Sequence, residues 1–127
     1  MSNDIDYWLK LAEYDFETAK AMLETGRYVY VLFMCQQALE KILKAHVVRE
    51  TKEFPPRLHN LLRLAVLSNI SISDENKIFL EKLNYYYLES RYPEDREKIS
   101  RTATFDLTKY YYEKTKEVFE WLKTKLS

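Results

Sequence analysis

The chain of 127 residues contains one glycine, Gly26, and three prolines, Pro55, Pro56 and Pro93. A many-stranded β fold needs a turn every few residues, and glycine and proline are the usual turn formers. A chain so poor in both is expected to fold as a few long helices. Apolar residues make up 46% of it, enough for one packed core. The length suits a single domain spanning residues 1–127. The expected fold class is all-α, an up-and-down four-helix bundle with an additional short helix, about five helices in all.

Apolar spacing places the helices. Ile5, Trp8, Ala12, Phe16, Ala19 and Leu23 recur at steps of three and four, behind Asn3 and Asp4, either of which can cap a helix start. Gly26 ends this run, because glycine readily takes the left-handed conformation needed just past a helix. A second helix is expected from about Tyr28 to Glu50, with Val31, Leu32, Cys35, Ala38, Leu39, Ile42 and Leu43 as a broad apolar stripe. Glu40 and Lys44 are four apart in the favourable order and read as a surface ion pair. The short connection at Gly26 and Arg27 makes these two helices an antiparallel hairpin.

Pro55 and Pro56 break the chain. A short leucine-rich helix is expected from about Leu58 to Leu67. Ser73 reads as the cap of a fourth helix, about Asp74 to Ser90, with Asn76 at its third position. The segment from Arg91 to Phe105 carries seven charged residues, and Pro93 disfavours helix at Tyr92. It reads as an exposed loop with room for a short helical turn. The last helix covers about Asp106 to Leu126, with Leu107, Tyr111, Val118, Trp121 and Leu122 on its apolar face, and pairs antiparallel with the fourth.

Twenty basic and twenty acidic residues cancel. There is no global field to gather nucleic acid or membrane, although a local basic patch is still allowed. Cys35 is the single cysteine, so an intrachain disulfide is excluded, and its apolar helical setting reads as a buried structural thiol. The N-terminal MSNDIDYWLK has no signal-peptide apolar region, and no apolar run approaches the roughly twenty residues of a membrane span. A cytoplasmic location without membrane contact is expected.

Four pieces of sequence together resemble one family. They are A-E-Y-D-F-E-T-A-K from Ala12 to Lys20 with Gly26-Arg27-Tyr28 behind it, C-Q-Q-A-L-E-K-I-L-K-A from Cys35 to Ala45, R-L-H-N-L-L-R-L from Arg57 to Leu64, and Y-Y-Y-L-E-S-R-Y-P-E from Tyr85 to Glu94. In order and spacing they resemble the prokaryotic, stand-alone type of HEPN (higher eukaryotes and prokaryotes nucleotide-binding) domain, over nearly the whole chain. The resemblance implies a helical bundle that forms homodimers. It also implies a minimal nucleotidyltransferase as partner in toxin–antitoxin-like pairs, and a nucleotide or RNA as ligand. One HEPN subset is a metal-independent ribonuclease that uses an Arg and a His separated by four to six residues. That motif is missing: Arg57 precedes His59 with one residue between, Arg49 precedes it with nine between, and Arg27 lies far upstream of His46.

The candidate site residues follow from chemistry and from this resemblance. His59, near Arg57, is either a ligand-facing or catalytic imidazole or a capping or hydrogen-bonded residue that fixes the loop. His46 continues the apolar row of helix two and reads as a satisfied histidine at the core edge. Lys41 and Lys44 share one side of helix two and either meet phosphate or form a solvated ion-paired face. Arg91 and Tyr92 offer a guanidinium fork for phosphate and a ring for stacking on a base. The nucleotide- or RNA-binding candidates are therefore Lys41, Lys44, His59, Arg91 and Tyr92, with His59 and Arg91 the only catalytic candidates. The tyrosine runs 85–87 and 110–112 each cover most of a helix circumference, so some rings must face outward, towards solvent or a partner. The histidines have no metal-ligand spacing, and one glycine cannot form a phosphate-binding loop, so neither metal nor cofactor is expected.

The expected function is a HEPN binding and assembly module rather than a self-contained enzyme. The alternatives are a metal-independent ribonuclease toxin with a non-standard Arg/His site, and a structural oligomer without ligand.

Overall fold

A computed structural model describes the backbone of residues 2–126 and the side chains from Asp4 to Leu126. Six helices follow one another: α1 Ser2–Glu24, α2 Tyr28–Thr51, α3 Leu61–Leu67, α4 Asp74–Glu89, α5 Pro93–Thr102 and α6 Phe105–Thr124. There is no strand among the described residues. The expected cap at Asn3 lies outside the described side chains. The helix already begins at Ser2, and Asp4 sits in its first turn, where a carboxylate suits the helix dipole.

α1 stops as its sequence dictates. Gly26 takes φ 78°, its N–H donates to the Leu23 carbonyl, and the Arg27 N–H reaches back to Met22 at 2.8 Å. The paired bonds satisfy two carbonyls at the helix end and turn the chain straight into α2. The two helices are antiparallel: Trp8 near the start of α1 lies against Phe54 just past α2, and Asp15 meets Lys41.

α2 is the axis of the molecule. Its residues from Val31 to Val48 are buried except Phe33, Met34, Gln37 and Lys41, which are half-buried. Leu32, Leu39, Ile42 and Leu43 are wholly withdrawn from water. Each such side chain contributes about 1.5–3 kcal/mol of hydrophobic stabilisation. The other helices surround this axis. α6 runs parallel to α2, with Phe105 at its start against Tyr28 and Leu122 near its end against His46. α4 runs antiparallel to α2, with Tyr87 against Phe33. α4 and α6 are antiparallel as expected, but they meet mainly through long side chains: Phe79 stacks on Tyr111 at 5.7 Å, Tyr86 meets it edge-on at 5.4 Å, and Lys114 bonds Glu75.

Two boundaries depart from the sequence reading. α3 begins at Leu61, three residues later than expected, because Asn60 is its cap and accepts from the Leu62 and Arg63 N–H groups. The polar segment after α4 is mostly the helix α5. Tyr92 stays extended (φ −112°, ψ 131°), as a residue before proline should, and Pro93 opens the helix at a position where its missing N–H costs nothing. Glu94 and Asp95 in the first turn and Arg101 in the last suit the dipole. Ile99 is the one residue of α5 that is buried, and it pins the helix to the core.

Candidate functional site

Gln36, Glu40 and Lys44 stand one turn apart on α2 and are all buried. Glu40 is the hub of this row. Its Oε2 accepts from Lys44 Nζ at 3.0 Å, and its Oε1 lies 2.9 Å from His59 Nδ1. Gln37 Nε2 also donates to Oε1, at 3.3 Å. The pair read from sequence as lying on the surface is therefore interior, with the two side chains only 4% and 8% exposed. The spacing was right, and the location differs because α2 is covered on this side by the chain around His59 and by Trp8, whose ring centre lies 5.5 Å from the Lys44 ammonium.

His59 is held twice. Gln36 Nε2 donates to its backbone carbonyl at 2.8 Å, and Glu40 receives its Nδ1. An ionised carboxylate only accepts, so this bond places a proton on Nδ1 and directs the neutral ring's lone pair to Nε2. The ring remains half exposed, at 50%. Its centre is 5.4 Å from that of Tyr87, and the Arg91 guanidinium lies 5.6 Å from the same tyrosine ring. Burial, and then the negative charge of Glu40, push the Tyr87 hydroxyl above its ordinary value, which keeps it neutral.

The five residues singled out in the sequence divide into two groups. Lys41 is bonded to buried Asp15 and Lys44 to buried Glu40, so both ammonium groups are already neutralised inside the hairpin. His59 and Arg91 are brought together around Tyr87, from the loop before α3 and the end of α4. Tyr92 follows Arg91 in sequence and is exposed. Among the described residues neither Arg91 nor the nearby Arg96 pairs with a carboxylate; Arg96 donates through Nε to the Ser90 carbonyl at 2.9 Å. His46 is buried with Nε2 at 2.8 Å from the Leu122 carbonyl, the satisfied core-edge histidine the sequence suggested. In the tyrosine runs, Tyr87, Tyr111 and Tyr112 are buried, while Tyr85 and Tyr110 face outward.

Glu40, Gln36 and Tyr87 are members of the cluster that the sequence reading did not assign to it. The signal for Gln36 and Glu40 was a row of polar residues at a step of four, ending at Lys44, on the apolar helix α2; Tyr87, on α4, gave no such signal. Among the described residues no group of three or more His, Cys, Asp or Glu side chains could hold a metal ion. No helix among them is long and apolar enough to cross a membrane.

This arrangement of helices has a family. The HEPN domain model matches residues 5–125. The chain belongs to the HEPN family. The HEPN fold seen here is also similar to the crystal structure of TT1696 from Thermus thermophilus, with a TM-score of 0.81 over 97% of this chain and 98% of that chain, at 21% sequence identity. No curated protein matches the sequence.

Proposed function

We propose that this HEPN domain is a binding and assembly module that holds a nucleotide or RNA at the corner formed by His59, Tyr87 and Arg91, and that it works as a homodimer beside a minimal nucleotidyltransferase. One observation carries the ligand reading: the half-exposed imidazole of His59 and the guanidinium of Arg91, which has no carboxylate partner among the described residues, flank the buried ring of Tyr87. A guanidinium fork suits phosphate, and rings beside it suit a base. Tyr92 extends that surface, while Lys41 and Lys44 supply structure more than free charge. The homodimer and the nucleotidyltransferase rest on the family resemblance, and outward Tyr85 and Tyr110 are suited to such contacts.

The test is binding of labelled RNA and of ATP and GTP to the purified protein, beside Arg91→Ala and His59→Ala variants with unchanged circular dichroism. Binding that weakens in both variants supports the site. No binding of any of these ligands by folded wild type would leave the structural-oligomer reading. Copurification with the nucleotidyltransferase and the mass in solution test the assembly part.

The Glu40–His59 contact favours a second reading, a metal-independent ribonuclease with a non-standard site. A carboxylate that fixes Nδ1 leaves Nε2 to take the proton of the 2′-hydroxyl as its oxygen bonds to phosphorus; the P–O5′ bond breaks, the leaving 5′-oxygen takes a proton back from Nε2 through water, and Arg91 would hold the phosphate. RNA cleavage in EDTA that disappears in His59→Ala and Arg91→Ala would establish it, and intact RNA after incubation with folded wild type would exclude it.

A further inference from the structure

The α4–α5 corner folds back over the first turns of α2 and leaves a small cavity there. Its volume is about 130 Å3, and it is lined by Val29, Tyr30 and Phe33 of α2 and by Ser90, Arg91 and Arg96 of the corner. The two walls differ in chemistry. The α2 wall is apolar and aromatic, with Phe33 packed on Tyr87 at 5.2 Å and Tyr30 48% exposed. The opposite wall carries two guanidiniums. Arg96 commits its Nε to the Ser90 carbonyl, and no terminal nitrogen of either arginine is paired with a carboxylate among the described residues. Two of the acids nearby, Glu97 and Glu89, have other charged neighbours. Glu97 pairs with Arg101 at 3.4 Å. Glu89, whose carboxyl burial and then the charge of Asp95 push up, has Asp95 and Lys98 as its charged neighbours.

An acidic peptide side chain would use the guanidiniums and leave the rings idle. A flat ring carried on a phosphodiester uses both walls. Size then selects the ring. A closed apolar cavity of about 150 Å3 holds one benzene molecule, so this cleft of about 130 Å3, open on its Tyr30 side, is matched better by one six-membered ring than by a fused bicycle. Guanidinium N–H groups only donate, and a pyrimidine presents carbonyl oxygen on its ring edge.

We infer that this cavity seats one pyrimidine base of a single-stranded RNA, with Arg91 and Arg96 shared between the base carbonyl and the adjoining phosphate. The inference rests on the reading of the domain as an RNA binder and names the base it selects. The test is fluorescence anisotropy with short labelled oligouridylate and oligoadenylate at low salt. Wild type should bind the uridine strand about tenfold more tightly, the scale of one stacked base. Val29→Phe fills the cavity and should bring uridine binding down to the adenosine value, at unchanged thermal unfolding. Arg96→Gln should weaken both strands. Tyr30→Ala removes an exposed ring without touching the core and should lower the uridine preference, so the cavity stays testable if Val29→Phe does not fold. Equal affinities for the two strands in wild type, or a uridine preference that survives the cavity variants, would overturn the base assignment while RNA binding stands. Binding of neither strand would remove the RNA-binding reading itself, and this inference with it.

Discussion

Glu40 with Lys44 in α2 and Glu97 with Arg101 in α5 are written alike in the sequence: an acid, then a base four residues on, in the favourable order along a helix. The first pair is 4% and 8% exposed and the second 75% and 70%. In α2 the acid also holds His59 and Gln37, so it organises a loop and a helix at once. In α5 the pair is solvated and joins nothing but itself. Sequence spacing therefore states that two charges can meet, and only packing states what their meeting is for. The same division separates lysines absorbed by the hairpin from arginines left open at the α4–α5 corner.

Removing the hub is the severest way to break this comparison. Glu40→Ala leaves Lys44 buried without its partner and His59 without its anchor, and should cost about 3–5 kcal/mol in urea unfolding. Next is the anchor of the other region. Ile99→Ala should cost about 2–3 kcal/mol, and amide exchange should rise in residues 93–102 before it rises in α2. Arg91→Ala should lose under about 1 kcal/mol, the size of a partly exposed cation–ring contact, while RNA binding falls by a factor that anisotropy resolves. If stability falls as far as in Glu40→Ala, the corner is structural after all.

A smaller effect concerns pH. Burial, ahead of its carbonyl bond and of the Arg49 and Lys125 charges, leaves His46 below its ordinary value of 6.5. As pH falls below about 6.5, the unfolded chain takes up a proton before the folded one does, so stability declines from there down to the folded pKa. Above about 6.5 His46 makes stability neither rise nor fall. Unfolding midpoints at pH 7 and pH 5 should differ less in His46→Gln than in wild type. The least effect belongs to Glu97→Ala, within about 0.5 kcal/mol.

The long helices were legible because their apolar residues repeat at helical spacing, and the turn at Gly26 because only one residue could supply it. α5 was not. With Ile99 as its single buried residue it has no apolar period, and its helical character rests on Pro93 at the start and on charges placed along the dipole. The α3 boundary was missed because Asn60 and His59 are neighbours, and the chain gives the cap to the asparagine. Of the site, His59, Arg91 and Tyr92 could be named from residue type and family resemblance. That His59 is oriented by Glu40 depends on contacts across 19 positions of chain, which no local pattern records.

The thiol of Cys35 has a practical consequence. It lies at zero exposure on α2, and burial pushes its pKa up to about 12. Alkylating reagents attack thiolates, so the native molecule should be silent towards them at neutral pH. Because α2 is wrapped by its neighbours, reagent can reach that sulfur only when the wrapping parts. The speed at which the chain takes up iodoacetamide is then a clock for rare openings of its centre, read by mass alone, in a protein that needs no label introduced.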